Sequence, residues 1–101
     1  MTGPKRPYLA LMAVTIRLEG ARSLKDKRMV LRSLKDGMRS RFGVAVAEVD
    51  GLDEPTRAVV NVAGLATSRP GADALLARFE NHIEKRFGDL DLTVEGEIVE
   101  L

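Results

Sequence analysis

Lys25, Arg28, Arg32, Lys35 and Arg39 place five positive charges at steps of three, four, three and four residues. At about 100° per residue such steps stack into one line along a helix, so the chemistry on offer is capture of an extended anion by a row of ammonium and guanidinium groups. Arg22 and Lys27 stand at the upper end of the row. Like charges at these spacings repel by roughly 0.2–0.5 kcal/mol per pair, so the row adds nothing to helix stability. It is either a plain solvated face, relieved in part by Asp26 and Asp36, or a surface for phosphates. The turn Gly20-Ala21-Arg22-Ser23 poses the same choice. Free N–H groups, the positive end of the helix dipole and a guanidinium converge where an anion could dock, yet the same residues make an ordinary capped turn without a full phosphate-loop pattern.

Other reactive constellations are sparse. His82 is the single histidine and falls at the edge of an apolar helical stripe, the position of a structural imidazole. There is no cysteine and no second histidine, which removes thiol nucleophiles, disulfides and zinc; no metal and no cofactor is expected. Asp50, Asp53 and Glu54 crowd one turn, but their spacing fits no calcium loop, so a solvated turn is the expectation. No residue is assigned a catalytic role.

These groups need a frame. Ser23 is placed to cap a helix, its hydroxyl accepting from the Asp26 N–H, and Gly43 to end it. Between them Leu24, Leu31, Leu34, Met38 and Phe42, with Val30 at the margin, make an apolar face about a quarter-turn from the basic row. Residues 8–18 form a strand apolar on both sides, hence a central one; 44–49 and 57–67 form two more, joined by a loop of turn formers. Ser68 opens a second helix with Ala72, Leu75, Leu76, Phe79, Ile83 and Phe87 inward, and 92–101 closes the chain as an edge strand.

The order β-α-β-β-α-β with right-handed crossovers is that of an α+β, ferredoxin-like domain over residues 8–101, preceded by a flexible tail, 1–7. Both helices would lie on one face of a four-stranded antiparallel sheet whose central strands are the first and third. The other face would carry Leu9, Leu11, Ala13, Val59 and Leu65, an apolar patch expected to be covered by a second copy of the chain.

Charge is unevenly spread along the chain: residues 1–43 hold eleven Lys or Arg against three Asp or Glu, and residues 44–101 five against twelve. Such asymmetry points to a polyanionic partner. No stretch reaches the ~20 apolar residues of a membrane span, and the apolar run after Lys5 and Arg6 lacks a cleavage site, so a cytoplasmic protein is expected with no membrane partner. Base stacking on the sheet is disfavoured, because the third strand has no aromatic residue and Phe42, Phe79 and Phe87 fall on helices.

Two resemblances bear on function. In length, strand order and an arginine before the first helix the chain resembles the acylphosphatases, with Arg22 and Asn61 standing where that family places its phosphate-binding arginine and water-placing asparagine; the family's glycine–valine–glutamine–glycine–valine run is absent. At Gly20-Ala21-Arg22-Ser23-Leu24-Lys25-Asp26-Lys27-Arg28 and at Phe42-Gly43-Val44-Ala45-Val46-Ala47-Glu48 it resembles the YlxP-like family of small bacterial proteins, a domain of unknown function. Gly43 replaces an asparagine common there, and Glu54-Pro55 replaces a leucine–tryptophan pair. That resemblance implies a ferredoxin-like fold, a cytoplasmic location, dimers, and a genomic setting among transcription, translation-initiation and ribosome-maturation genes.

The expectation is a non-enzymatic RNA- or ribosome-associated homodimer that binds phosphates through Arg22, Lys25, Lys27, Arg28, Arg32, Lys35 and Arg39. The alternatives are an acylphosphatase-like hydrolase and a structural or ligand-sensing dimer.

Overall fold

Ala10, Met12, Val14 and Ile16 alternate along β1 (Tyr8–Arg17) and are fully buried, while Leu9, Leu11, Ala13 and Thr15 between them are half-buried on the opposite side. That two-sided apolar strand becomes the centre of the sheet. In the computed structural model, which describes residues 6–20 and 23–101, β1 pairs antiparallel with both β3 (Arg57–Ala66) and β4 (Asp91–Glu100). β2 (Ala45–Asp50) lines the outer edge of β3, giving the order β2-β3-β1-β4. Most of the expected tail, residues 1–5, and Arg22 lie outside the described residues.

The two helices are α1 (Leu24–Phe42) and α2 (Arg69–Phe87). Each is capped as its sequence requires: Ser23 Oγ accepts from the Asp26 N–H at 3.3 Å, and Ser68 Oγ from the Gly71 N–H at 3.1 Å. Gly43 ends α1 in the left-handed region at φ 63°, with its N–H bonded to the Arg39 carbonyl. Leu31, Leu34 and Met38 of α1 and Ala72, Phe79 and Ile83 of α2 close over β1 and β3, where Val60, Val62 and Ala58 complete the core. The element order, four-stranded antiparallel sheet and paired helices are those expected of a ferredoxin-like fold.

One close approach fixes how α2 sits. A Cβ at Gly64 would come within 2.8 Å of Leu75 Cδ2 and 3.1 Å of the Phe79 ring, so only a glycine on β3 lets the helix press down at that point. The contacts also show that the helices run antiparallel. Gly37 lies beside His82, whereas Phe42, further along α1, lies beside Phe79, earlier along α2. No helix among the described residues is long and apolar enough to cross a membrane.

Candidate nucleic-acid interface

Lys25, Arg28, Arg32 and Arg39 are exposed and Lys35 half-buried, so the row along α1 remains in water while Leu31, Leu34 and Met38 turn inward. Arg28, Arg32, Lys35 and Arg39 line one groove of about 390 Å³, together with Leu31, Asp36 and Glu48. Its far wall is the free edge of β2, reached by Arg39, whose guanidinium donates to the Val46 carbonyl at 3.0 Å. That bond holds one cation of the row in place and covers part of an otherwise unpaired strand edge. Among the described residues, no carboxylate lies within ion-pair distance of Lys25, Arg28, Arg32, Lys35 or Arg39. The acidic second half of the chain therefore does not neutralise the row residue by residue.

Lys27 departs from the expectation. It is 2% exposed, and its ammonium sits under the β2–β3 loop, donating to the carbonyls of Gly51, Glu54 (2.9 Å) and Arg57 (3.0 Å). Glu48 Oε2 stands 2.7 Å away, so the buried charge meets a carboxylate and three carbonyl dipoles. A phosphate has no access to it. The signal was present in the sequence: Leu24, Lys27, Leu31, Leu34 and Met38 step by three, four, three and four, which places Lys27 in the apolar register. Glu48, two residues after the buried Val46, points to the same side of β2 by strand alternation.

The loop above that ammonium is tied by a second pair. Asp50 accepts from the Gly51 N–H at 2.8 Å and from the Arg57 guanidinium at 2.9 Å, which holds its carboxyl below the usual carboxylate value. Glu54 approaches the same guanidinium at 3.8 Å. Two of the three acidic groups of this turn are thus engaged by Arg57, and among the described residues no group of three or more His, Asp or Glu could hold a metal ion.

Asn61 lies in mid-β3 opposite Ala13 and Ala47, on the sheet face away from both helices, and its Oδ1 is buried with no hydrogen-bond partner among the described residues. That face also carries Leu9, Leu11, Ala13, Val59 and Leu65; Leu65 is 64% exposed and the others half-buried. His82 is at the α1–α2 junction, its ring perpendicular to Phe42 at 5.7 Å between centroids. Desolvation, with Arg41 and Arg86 nearby, lowers its pKa below the ordinary 6.5.

A family model described as a protein of unknown function, DUF503, matches residues 9–95. No curated protein matches the chain. Among solved structures, it is similar to a dimeric ferredoxin-like protein from an uncultured marine organism, with 11% identity over 93% of this chain and 95% of that one and a TM-score of 0.51. It is also similar to a PII-like signaling protein from Thermus thermophilus, with 14% identity over 97% and 92% and a TM-score of 0.50. At such identities the similarity is one of fold.

Proposed function

Since the chain belongs to the DUF503 family, whose function is unknown, the function has to be argued from this chain's own surface, and we propose that it is a non-enzymatic RNA-binding protein. The phosphate backbone would lie along the α1–β2 groove, held by Arg28, Arg32, Lys35 and Arg39, with Lys25 at its upper end. The observation that carries the reading is the groove itself: four cations on one wall, none paired with a carboxylate among the described residues. Recognition would be of charge and shape, because the groove offers guanidinium and ammonium groups and no aromatic ring to stack a base.

Four or five neutralised phosphates give log K a slope of roughly −3 to −4.5 against log salt. Fluorescence anisotropy with a labelled RNA hairpin across a salt series measures it. Arg28→Glu with Arg32→Glu should abolish binding and leave the unfolding midpoint close to that of the parent, because both side chains are exposed. A response independent of salt would refute the reading. The acylphosphatase-like alternative gains no support from Asn61, which lies on the face opposite the helices.

We further propose that two copies associate through the helix-free sheet face, with Leu9, Leu11, Ala13, Val59 and Leu65 at the contact. Supporting this, the exposed Leu65 stands in register with the half-buried Leu9 and Val99 across β3, β1 and β4 as one apolar row on the face away from the helices.

A further inference from the structure

A second basic surface lies on the other side of α1, where its last turn meets α2. Arg41 from α1 and Arg78, Lys85 and Arg86 from α2 surround a basin of about 310 Å³. Asn81 and His82 supply the remaining polar groups, and Phe42 forms the floor. Among the described residues no acidic one lines it, unlike the α1–β2 groove, where Asp36 and Glu48 do. The four cations are exposed and, among the described residues, none has a carboxylate within ion-pair distance.

Helix dipoles account for part of this, since Arg41, Lys85 and Arg86 fall in last turns. They do not account for Arg78, which stands in the middle of α2 with its guanidinium 5.4 Å from the Phe42 centroid. Arg41 lies over the same ring at 5.8 Å, and the His82 ring meets it at a right angle. Phe42 is itself fixed by an edge-to-face contact with the buried Phe79 at 5.2 Å. Two guanidinium groups are therefore held in place before any ligand arrives, which lowers the ordering cost of binding one.

We propose that this basin is a binding site for a compact phosphate chain of two or three groups, as carried by a nucleoside polyphosphate. Its enclosure by two helices suits a short, dense anion, and its donors are of the forked and rotatable kinds that bind phosphate oxygens. The imidazole of His82 meets Gly37, Arg41 and Phe42 from α1 and shares the basin with Arg78, Lys85 and Arg86 of α2, so the charged groups that line the basin with it among the described residues are positive. An anion bound among them favours the imidazolium, and ligand and proton binding are coupled.

Isothermal titration calorimetry with inorganic triphosphate and with ATP tests the site. Both should bind at least tenfold more tightly than inorganic phosphate, and Arg78→Gln with Lys85→Gln should weaken them at least tenfold. The Arg28→Glu, Arg32→Glu variant should bind them as the parent does, so this site can fail while the RNA groove stands, and the reverse. Histidine-detected NMR adds a readout independent of stability: the His82 pKa should rise on saturation with triphosphate. Absence of binding, equal affinity in the Arg78, Lys85 variant, or an unmoved His82 titration would each overturn the assignment.

Discussion

Lys27 is the residue on which the local structure most depends, because its ammonium joins α1 to the carbonyls of Gly51, Glu54 and Arg57 at the β2–β3 connection and to the Glu48 carboxylate on β2. Removing one member of a buried pair costs roughly 3–5 kcal/mol, since the other charge is left without compensation. Lys27→Met should therefore lower the unfolding free energy in urea by about 3 kcal/mol, and adding Glu48→Leu should recover part of that loss. A loss under about 1 kcal/mol would mean that the loop relaxes to solvate Glu48. Asp50, at the end of β2, gives a pH signature of defined sign. Its carboxyl is held below the ordinary 3.8 by Arg57 and the Gly51 N–H, so its contribution is fully present above that value and is lost as pH falls through the lower folded one. Asp50→Asn should lower stability at neutral pH, where that contribution is present, and flatten its fall below pH 4, so that variant and parent converge in acid, as followed by urea midpoints.

At the scale of the element, α1 was legible nearly from end to end. Ser23, Gly43 and the Leu31, Leu34, Met38 stripe specify its limits and buried face, because capping and amphipathic spacing are properties of neighbouring residues. The basic row was legible for the same reason. What sequence alone left hidden needs two elements at once. Lys27 falls in the apolar register of α1, but the groups that receive its ammonium are defined only once the β2–β3 loop is laid over it, and the basin around Phe42 exists only because antiparallel packing sets Arg41 beside Arg78. Gly64 likewise looks like a weak point in a strand until Leu75 and Phe79 are seen against it. Gly37 provides the contrasting case. It sits within α1 at a cost of about 1 kcal/mol relative to alanine, and a Cβ there would meet only His82 Nε2 at an ordinary 3.5 Å. Gly37→Ala should thus raise stability by up to about 1 kcal/mol, measured by chemical denaturation, whereas Gly64→Ala should lower it.

For the whole molecule, the fold separates two surfaces that a small domain could not otherwise combine. Both helices cover one face of the sheet, so copies joined through the other face would leave each basic groove pointing outward. Association would then present two phosphate-binding rows on one particle, and linked sites raise avidity by about 10²–10⁴ without a new contact when the RNA can span them. Leu65 is the place to test this, being 64% exposed at one end of the apolar row with Leu9 and Val99. Leu65→Glu should fold normally, because the side chain is outside the core, yet sediment as a monomer near 11.0 kDa where the parent sediments at twice that mass. Its affinity for a long RNA should fall at least tenfold and its salt slope towards that of a single groove, while affinity for a hairpin too short to reach both grooves stays that of the parent. A parent chain that sediments at 11.0 kDa at micromolar concentration removes the two-copy arrangement and leaves the groove to act alone.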